Sequence, residues 1–270
     1  MNQKAIGVFD SGLGGLTAVR EMLRILPDED IIYFGDTGRV PYGSKSNDTI
    51  KKYALQDARF LSRMGVKMIV AACGTVSSVA PDLTDQLGVP YTGVVYPTCF
   101  SACEATKSGR IGVIGTAATI ASHSYKNRIQ TKHPEYTVIE QACPLFVPLV
   151  ENGMTDPDDE IVRLTVERYL GVMQENEVDT IILGCTHYPL LAAAIGSVMG
   201  DGVTLIDSGK ETALYTKKVL GQKGLLREAG SGSAQRYYVS DTPADFEKYA
   251  GIFLKRNIEH QVQQINIEEY

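Results

Sequence analysis

The 270-residue sequence predicts an α/β fold of two pseudosymmetric halves, each on a mainly parallel sheet. Apolar, β-branched runs alternate with stretches of helical period, the pattern of repeated strand–helix units. Landmarks of the first half recur in order in the second. Two strand-like runs also end alike, Met68-Ile69-Val70-Ala71-Ala72-Cys73-Gly74-Thr75 and Thr180-Ile181-Ile182-Leu183-Gly184-Cys185-Thr186-His187. Each passes through small residues to a thiol beside a threonine.

Residues 5–10 read as a strand, followed by a Gly-rich turn and a helix from about Thr17 to Leu26. Ile31 to Gly35 is a second strand. From Asp48, Ile50, Ala54, Ala58, Leu61 and Met64 recur at helical spacing, and Gly65 is the expected terminator. Val66 to Ala72 is the strand that feeds Cys73, and Tyr91 to Tyr96 is the next.

The pattern then restarts. Ile6-Gly7-Val8 has a counterpart in Ile111-Gly112-Val113, offset by 111 − 6 = 105 residues. The two cysteines are offset by 185 − 73 = 112, a difference that an insertion in a surface loop absorbs. A helix starting at Asp156-Pro157 and bearing Val162, Val166, Tyr169, Leu170 and Met173 precedes the second cysteine strand. Short strands follow each cysteine, Gly93 to Tyr96 and Val203 to Ile206. The tail reads as a helix over Glu211–Leu220, a turn-rich connector over 221–234, and a strand over Arg236–Ser240. A helix started by Thr242-Pro243 then carries Phe246, Ala250, Phe253 and Leu254. This tail is expected to pack back onto the first half.

Composition narrows the function. A hydrophobic content of 44% with 21% charged residues is that of an ordinary soluble globular chain. A net charge of −6 without a Lys/Arg cluster argues against nucleic acid as a partner. No 18-residue apolar run and no signal peptide are read, so no membrane partner is expected. Five cysteines, an odd number, favour reduced thiols and a cytoplasmic location.

Cys73 and Cys185 each have a bland reading as small buried hydrophobes. Both nevertheless stand at the carboxyl ends of expected parallel strands, where open α/β sheets bind ligands. Cys99, Cys103 and Cys143 lack that setting and are read as structural; Cys99 and Cys103 have no second pair to complete a zinc site. Asp10 ends the first strand and is followed by small residues that permit close approach, which favours a functional role. The turn from Asp10 to Gly15 is not a dinucleotide fingerprint, because Thr17 occupies the third glycine position. His187, two residues from Cys185, is placed to orient that thiol or share its proton. His123, His133 and His260 read as surface residues, and Glu151 as a solvated carboxylate at a helix start. Ser11, Thr75, Thr116, Thr119 and Thr186 fall in strand-end turns, where each is a helix cap by default. Together they would line one crevice suited to a small amino acid. Two thiols facing each other across it would suit removing a proton from one face of a carbon and returning one to the other.

These landmarks resemble the cofactor-independent glutamate racemases of the aspartate/glutamate racemase family. The resemblance runs through Phe9-Asp10-Ser11-Gly12-Leu13-Gly14-Gly15, Gly35-Asp36-Thr37, Arg39-Val40-Pro41-Tyr42-Gly43 and the Cys73 strand end. It continues through Gly115-Thr116 with Thr119, Cys143-Pro144 with Val147-Pro148-Leu149, Gly184-Cys185-Thr186-His187-Tyr188-Pro189 and Ile206-Asp207-Ser208-Gly209. It implies two pseudosymmetric α/β domains, residues 1–96 with 207–270 and residues 97–206, with the active site in the cleft between them. It also implies no cofactor or metal, a glutamate substrate, a role in supplying D-glutamate for peptidoglycan, and a homodimer. By the same resemblance Cys73 would serve the D-enantiomer with Asp10, and Cys185 the L-enantiomer with His187 and Glu151. Asp10, Ser11, Pro41, Tyr42, Gly43, Gly74, Thr75, Thr116, Thr119, Thr186 and His187 would contact substrate.

One departure stands out. Where members commonly carry Cys-Asn-Thr, this chain has Cys73-Gly74-Thr75, so a carboxamide is missing, and Ser77 or a water is the expected substitute. Aspartate, hydantoin or maleate on the same scaffold, and a small-carboxylate binding protein, are the alternatives this leaves open.

Overall fold

A computed structural model describes residues 3–81, 83–258 and 260–270. In the first half, β1 (Ile6–Asp10), α1 (Leu16–Ile25), β2 (Ile31–Gly35), α2 (Asn47–Arg63) and β3 (Met68–Ala71) alternate as the periodicity predicts. Two short helices, α3 (Gly74–Val79) and α4 (Thr84–Leu87), precede β4 (Tyr91–Gly93). The expected strand to Tyr96 stops at Gly93, and Val95 already begins α5 (Val95–Ala105). Apolar residues at 94 and 95 suit either state, and burial against the second half decides for helix.

The second half contains β5 (Arg110–Gly115), α6 (Ala117–Ala121), α7 (Ser124–Lys132), β6 (Thr137–Ala142), α8 (Phe146–Glu151), α9 (Glu160–Glu175), β7 (Thr180–Leu183), α10 (Ala192–Met199) and β8 (Thr204–Asp207). Helix α9 starts later than Asp156-Pro157, because the Asp159 carboxylate accepts from the N–H groups of Ile161 and Val162 and caps it there. The tail forms α11 (Ser208–Gln222), β9 (Gln235–Val239), α12 (Pro243–Leu254) and β10 (Val262–Gln264). Strands β6 and β10 and several short helices are absent from the expectation; β6 alternates weakly and carries Glu140 and Gln141.

All pairings are parallel. The first sheet runs β10-β9-β2-β1-β3-β4 and the second β6-β5-β7-β8. The orders β2-β1-β3-β4 and β6-β5-β7-β8 match one for one, so β1 corresponds to β5 and β3 to β7. The repeated Ile-Gly-Val and cysteine landmarks fall on those equivalent strands. The tail adds β9 beside β2, with Tyr33 opposite Tyr237, so the chain returns to its first sheet.

β1, β2, β3 and β7 are buried along their whole length, as strands covered by helices on both faces should be. In each half the strand order reverses at the central strand. That reversal opens a crevice at the carboxyl ends of β1 and β3, and another at those of β5 and β7. The two crevices face one another.

Candidate active site

Cys73 follows β3 through Ala72 and is the N-cap of α3, with its carbonyl accepting from the Ser77 N–H at 2.9 Å. Cys185 follows β7 through Gly184, whose N–H is held by the Ile114 carbonyl at 2.8 Å. Both thiols are buried yet open onto one cavity of about 520 Å³ shared by the two halves. Asp10, Ser11, Pro41, Tyr42, Gly43, Gly74 and Thr75 line it from the first half; Thr116, Glu151, Thr186 and His187 line it from the second. A depression of about 650 Å³ on the other side of α3, lined by Ser78, Tyr96 and Arg128 among others, contains none of these residues.

Thr119 is the exception. It is buried behind the wall, where its hydroxyl lies 3.0 Å from that of Thr116, which lies 3.2 Å from that of Thr75. The three hydroxyls make a chain across the junction of the halves.

Each thiol has its own acid–base company. Cys73 Sγ lies 3.6 Å from the Ser11 hydroxyl. Burial, then the nearby Asp10 carboxylate, pushes its pKa up to about 12, against partial relief from the Val76 N–H and from Ser11. Asp10 is itself raised, chiefly by burial. The charge of His187, the N–H groups of Gly15 and Gly12 and the Cys73 thiol only partly offset this. Across the cavity His187 Nδ1 lies 3.8 Å from Cys185 Sγ, and Nε2 lies 3.1 Å from Glu151 Oε1. Burial lowers the imidazole pKa, but the hydrogen bonds to Cys185 and Glu151, with the charges of Cys185 and Asp10, outweigh it and raise it to about 10. One half thus holds a neutral thiol and the other an imidazolium beside a sulfur.

Glu151 is the last residue of α8, not a helix-start group, and it remains exposed while reaching the buried imidazole. His187 is fixed from other sides too. The Phe253 ring of α12 meets it edge-on with centroids 5.3 Å apart. A Cβ on Gly14 would fall 2.6 Å from its Nδ1 and 2.1 Å from Thr186 Oγ1, so the turn admits this segment only because position 14 lacks a side chain. Thr17, which breaks the dinucleotide pattern, donates its hydroxyl to the carbonyls of Gly14 and Thr186 at 2.9 and 2.8 Å.

A buried network holds the Pro41–Gly43 wall. Arg39 contacts Asp36 at 2.6 Å, Asp57 at 3.0 Å and Gln56 at 2.6 Å. The Tyr42 hydroxyl donates to Asp36 and, at 3.0 Å, to Asp57. Burial and the Asp36 charge raise the Asp57 carboxyl well above the carboxylate range. Asp57 gave no signal in the sequence, since an acid within α2 reads as a solvated helix face.

The expected substitution by Ser77 does not occur. Its hydroxyl donates to the Ala71 carbonyl at 3.1 Å and accepts from the Val94 N–H at 3.0 Å, turned away from the cavity. All five cysteines are free. Among the described residues no cluster of His, Cys, Asp and Glu is arranged to hold a metal ion, and no helix is long and apolar enough to cross a membrane.

Residues 6–216 match the family model described as Asp/Glu/hydantoin racemase. The chain belongs to that family. It is 46% identical to a glutamate racemase of Geobacter metallireducens over 99% of this chain and 98% of the relative. It is 45% identical to one of Chlorobaculum tepidum over 92% of each. The fold superimposes on the crystal structure of a glutamate racemase from Bacillus anthracis with a TM-score of 0.92 at 35% identity, covering 98% of both chains. A Francisella tularensis glutamate racemase in complex with D-glutamate gives 0.91 at 36% identity, covering 100% of both. The family assignment makes this chain an enzyme, a racemase, and these relatives each cover 92% or more of it.

Proposed function

We propose that this chain interconverts L- and D-glutamate by two opposed thiols, without a cofactor. The observation that carries the reading is that Cys73 and Cys185 open onto one cavity from equivalent positions in the two halves, each with its own acid–base neighbour. Cys185, as thiolate beside the His187 imidazolium, takes the Cα proton of L-glutamate. Cys73, as thiol, returns a proton to the opposite face. In the reverse direction Asp10 takes the Cys73 proton, the Cys73 thiolate takes the Cα proton of D-glutamate, and Cys185, protonated from His187, returns one to the opposite face.

The Cα proton is a very weak acid, and an ordinary thiol, pKa about 8.5, is only partly ionised at neutral pH. An imidazolium beside sulfur favours negative charge on it, and Glu151 secures that proton on His187. No Lys or Arg is among the residues lining the cavity. The substrate carboxylates are therefore held by the hydroxyls of Ser11, Thr75, Thr116 and Thr186 and by backbone N–H groups, which also stabilise the carbanion-like transition state. Pro41, Tyr42, Gly43 and Gly74 shape the remainder, with Thr119 supporting Thr116.

The division into residues 1–96 with 207–270 and residues 97–206 fits the two sheets, and closure between them excludes water from the cavity. Supply of D-glutamate for peptidoglycan in the cytoplasm, by a homodimer, completes the reading.

A chirality assay of L- and D-glutamate, with aspartate alongside because of Gly74 and no cofactor added, tests it. Conversion of glutamate in both directions is expected; conversion of aspartate alone, or of neither, would overturn it. In deuterated solvent early product should carry deuterium while unreacted substrate stays protiated. Equal early labelling of both enantiomers would instead indicate a single base.

A further inference from the structure

The residue after the first thiol and the residue before the second touch each other. A Cβ built on Gly74 would lie 2.3 Å from the Gly184 carbonyl oxygen, and 3.7 Å from Thr119 Oγ1. Carbon and carbonyl oxygen normally approach no closer than about 3.3 Å. A side chain at position 74 therefore needs about 1 Å that the present packing does not contain.

The obstructing atom is backbone, and Gly184 is fixed by its N–H bond to the Ile114 carbonyl, with the buried Tyr125 ring against it. Helix α3, which begins at Gly74, is fixed in turn. Ser77 ties it to Ala71 and Val94, and Ser78 Oγ accepts from Ser124 Oγ of the second half at 2.9 Å. Relief by moving the halves apart would act where the thiols face one another. The segment Gly184–His187 is seated on two bare positions of the first half, Gly74 at one end and Gly14 at the other.

We infer that Gly74 is a positioning residue whose missing side chain sets the spacing of the two halves at the Cys73–Cys185 pair. The lost carboxamide is thus not replaced by another polar group. The Gly184 carbonyl stands against the position its Cβ would take, and the hydroxyl chain Thr75–Thr116–Thr119 keeps the junction polar. For catalysis the inference rests on the two-thiol reading, because only there does the spacing decide proton transfer. Misplacement of reacting groups by about 1 Å costs on the order of 10²-fold in rate.

Gly74→Ala should be compared with the unsubstituted chain and with Gly171→Ala, which adds its methyl in open space on α9. Two measurements are needed: kcat and KM for glutamate, and the rate of iodoacetamide alkylation at each cysteine by mass spectrometry. Gly74→Ala is expected to lower kcat about 10²-fold, with a smaller change in KM. It is also expected to speed alkylation several-fold at Cys73 and Cys185 while leaving buried Cys99 and Cys143 unchanged. Gly171→Ala should match the unsubstituted chain in both. An unchanged kcat, unchanged alkylation at Cys73 and Cys185, or acceleration at all four cysteines together would overturn the inference, the last because it reports general loosening. If the unsubstituted chain fails to racemise glutamate, the proposed function falls, while the alkylation rates still decide whether Gly74 sets the spacing.

Discussion

Glu151, exposed at the end of α8, places Oε1 3.1 Å from Nε2 of the buried His187 and so links the second thiol's partner to the cavity mouth. This contact is one cause of the raised imidazole pKa. A hydrogen bond to a charged group contributes about 1.5–3 kcal/mol, and exposure of the carboxylate reduces that to about 1 kcal/mol. Glu151→Gln should therefore lower L-to-D turnover about 5-fold. It should also move the alkaline limb of the pH–rate profile to lower pH, because His187 loses its proton more readily. A profile identical to that of the unsubstituted enzyme would rule out the contact as functional.

His187 also links charge to stability. Its folded pKa of about 10 lies above the unfolded value of about 6.5. The folded state then holds the extra proton between those values, so the contribution is full below about 6.5 and fades as pH rises through about 10. The stability lost in His187→Gln should be largest in mild acid and shrink toward pH 10. Urea titrations of both chains across that range measure it; a loss independent of pH would assign His187 a packing role alone.

Single replacements of the thiols should separate the faces of the substrate. Cys73→Ala and Cys185→Ala are each expected to lower racemisation by about 10²–10⁴-fold, the range for losing a proton-transfer group. Residual exchange of the Cα proton with deuterated solvent should persist for L-glutamate in Cys73→Ala and for D-glutamate in Cys185→Ala. Proton NMR of each enantiomer reads this directly. The opposite assignment would reverse the roles of the two cysteines.

Arg39→Ala should be costly although Arg39 touches no substrate. It would leave the fully buried Asp36 and Asp57 without their cation, and breaking a buried pair costs about 3–5 kcal/mol. Because Asp57 is already pushed toward its neutral form, the lower end, about 3 kcal/mol, is expected from urea unfolding. KM for glutamate should rise as well, since Tyr42 and the wall it carries lose their anchor.

Much of this was readable in one dimension. β1, β2 and the amphipathic α2 follow from local periodicity, and the equivalence of β1 with β5 and β3 with β7 follows from repeated landmarks. The candidate residues were legible as strand-end groups, because parallel sheets collect chemistry at that edge. Elements whose burial is set by distant neighbours were harder: β10 is three residues long, and α5 begins where a strand was expected.

The sequence alone determined the fold class, the order of the strands' landmarks, and which side chains end up at strand termini, since period and turn chemistry are local properties. Only the tertiary structure decided that Glu151 reaches His187, that Thr116 meets Thr75, that Asp57 enters a buried charge network and that Gly74 meets Gly184. Those are contacts between segments far apart in the chain. Their distances follow from how two packed halves settle against each other, a quantity that no run of neighbouring residues encodes.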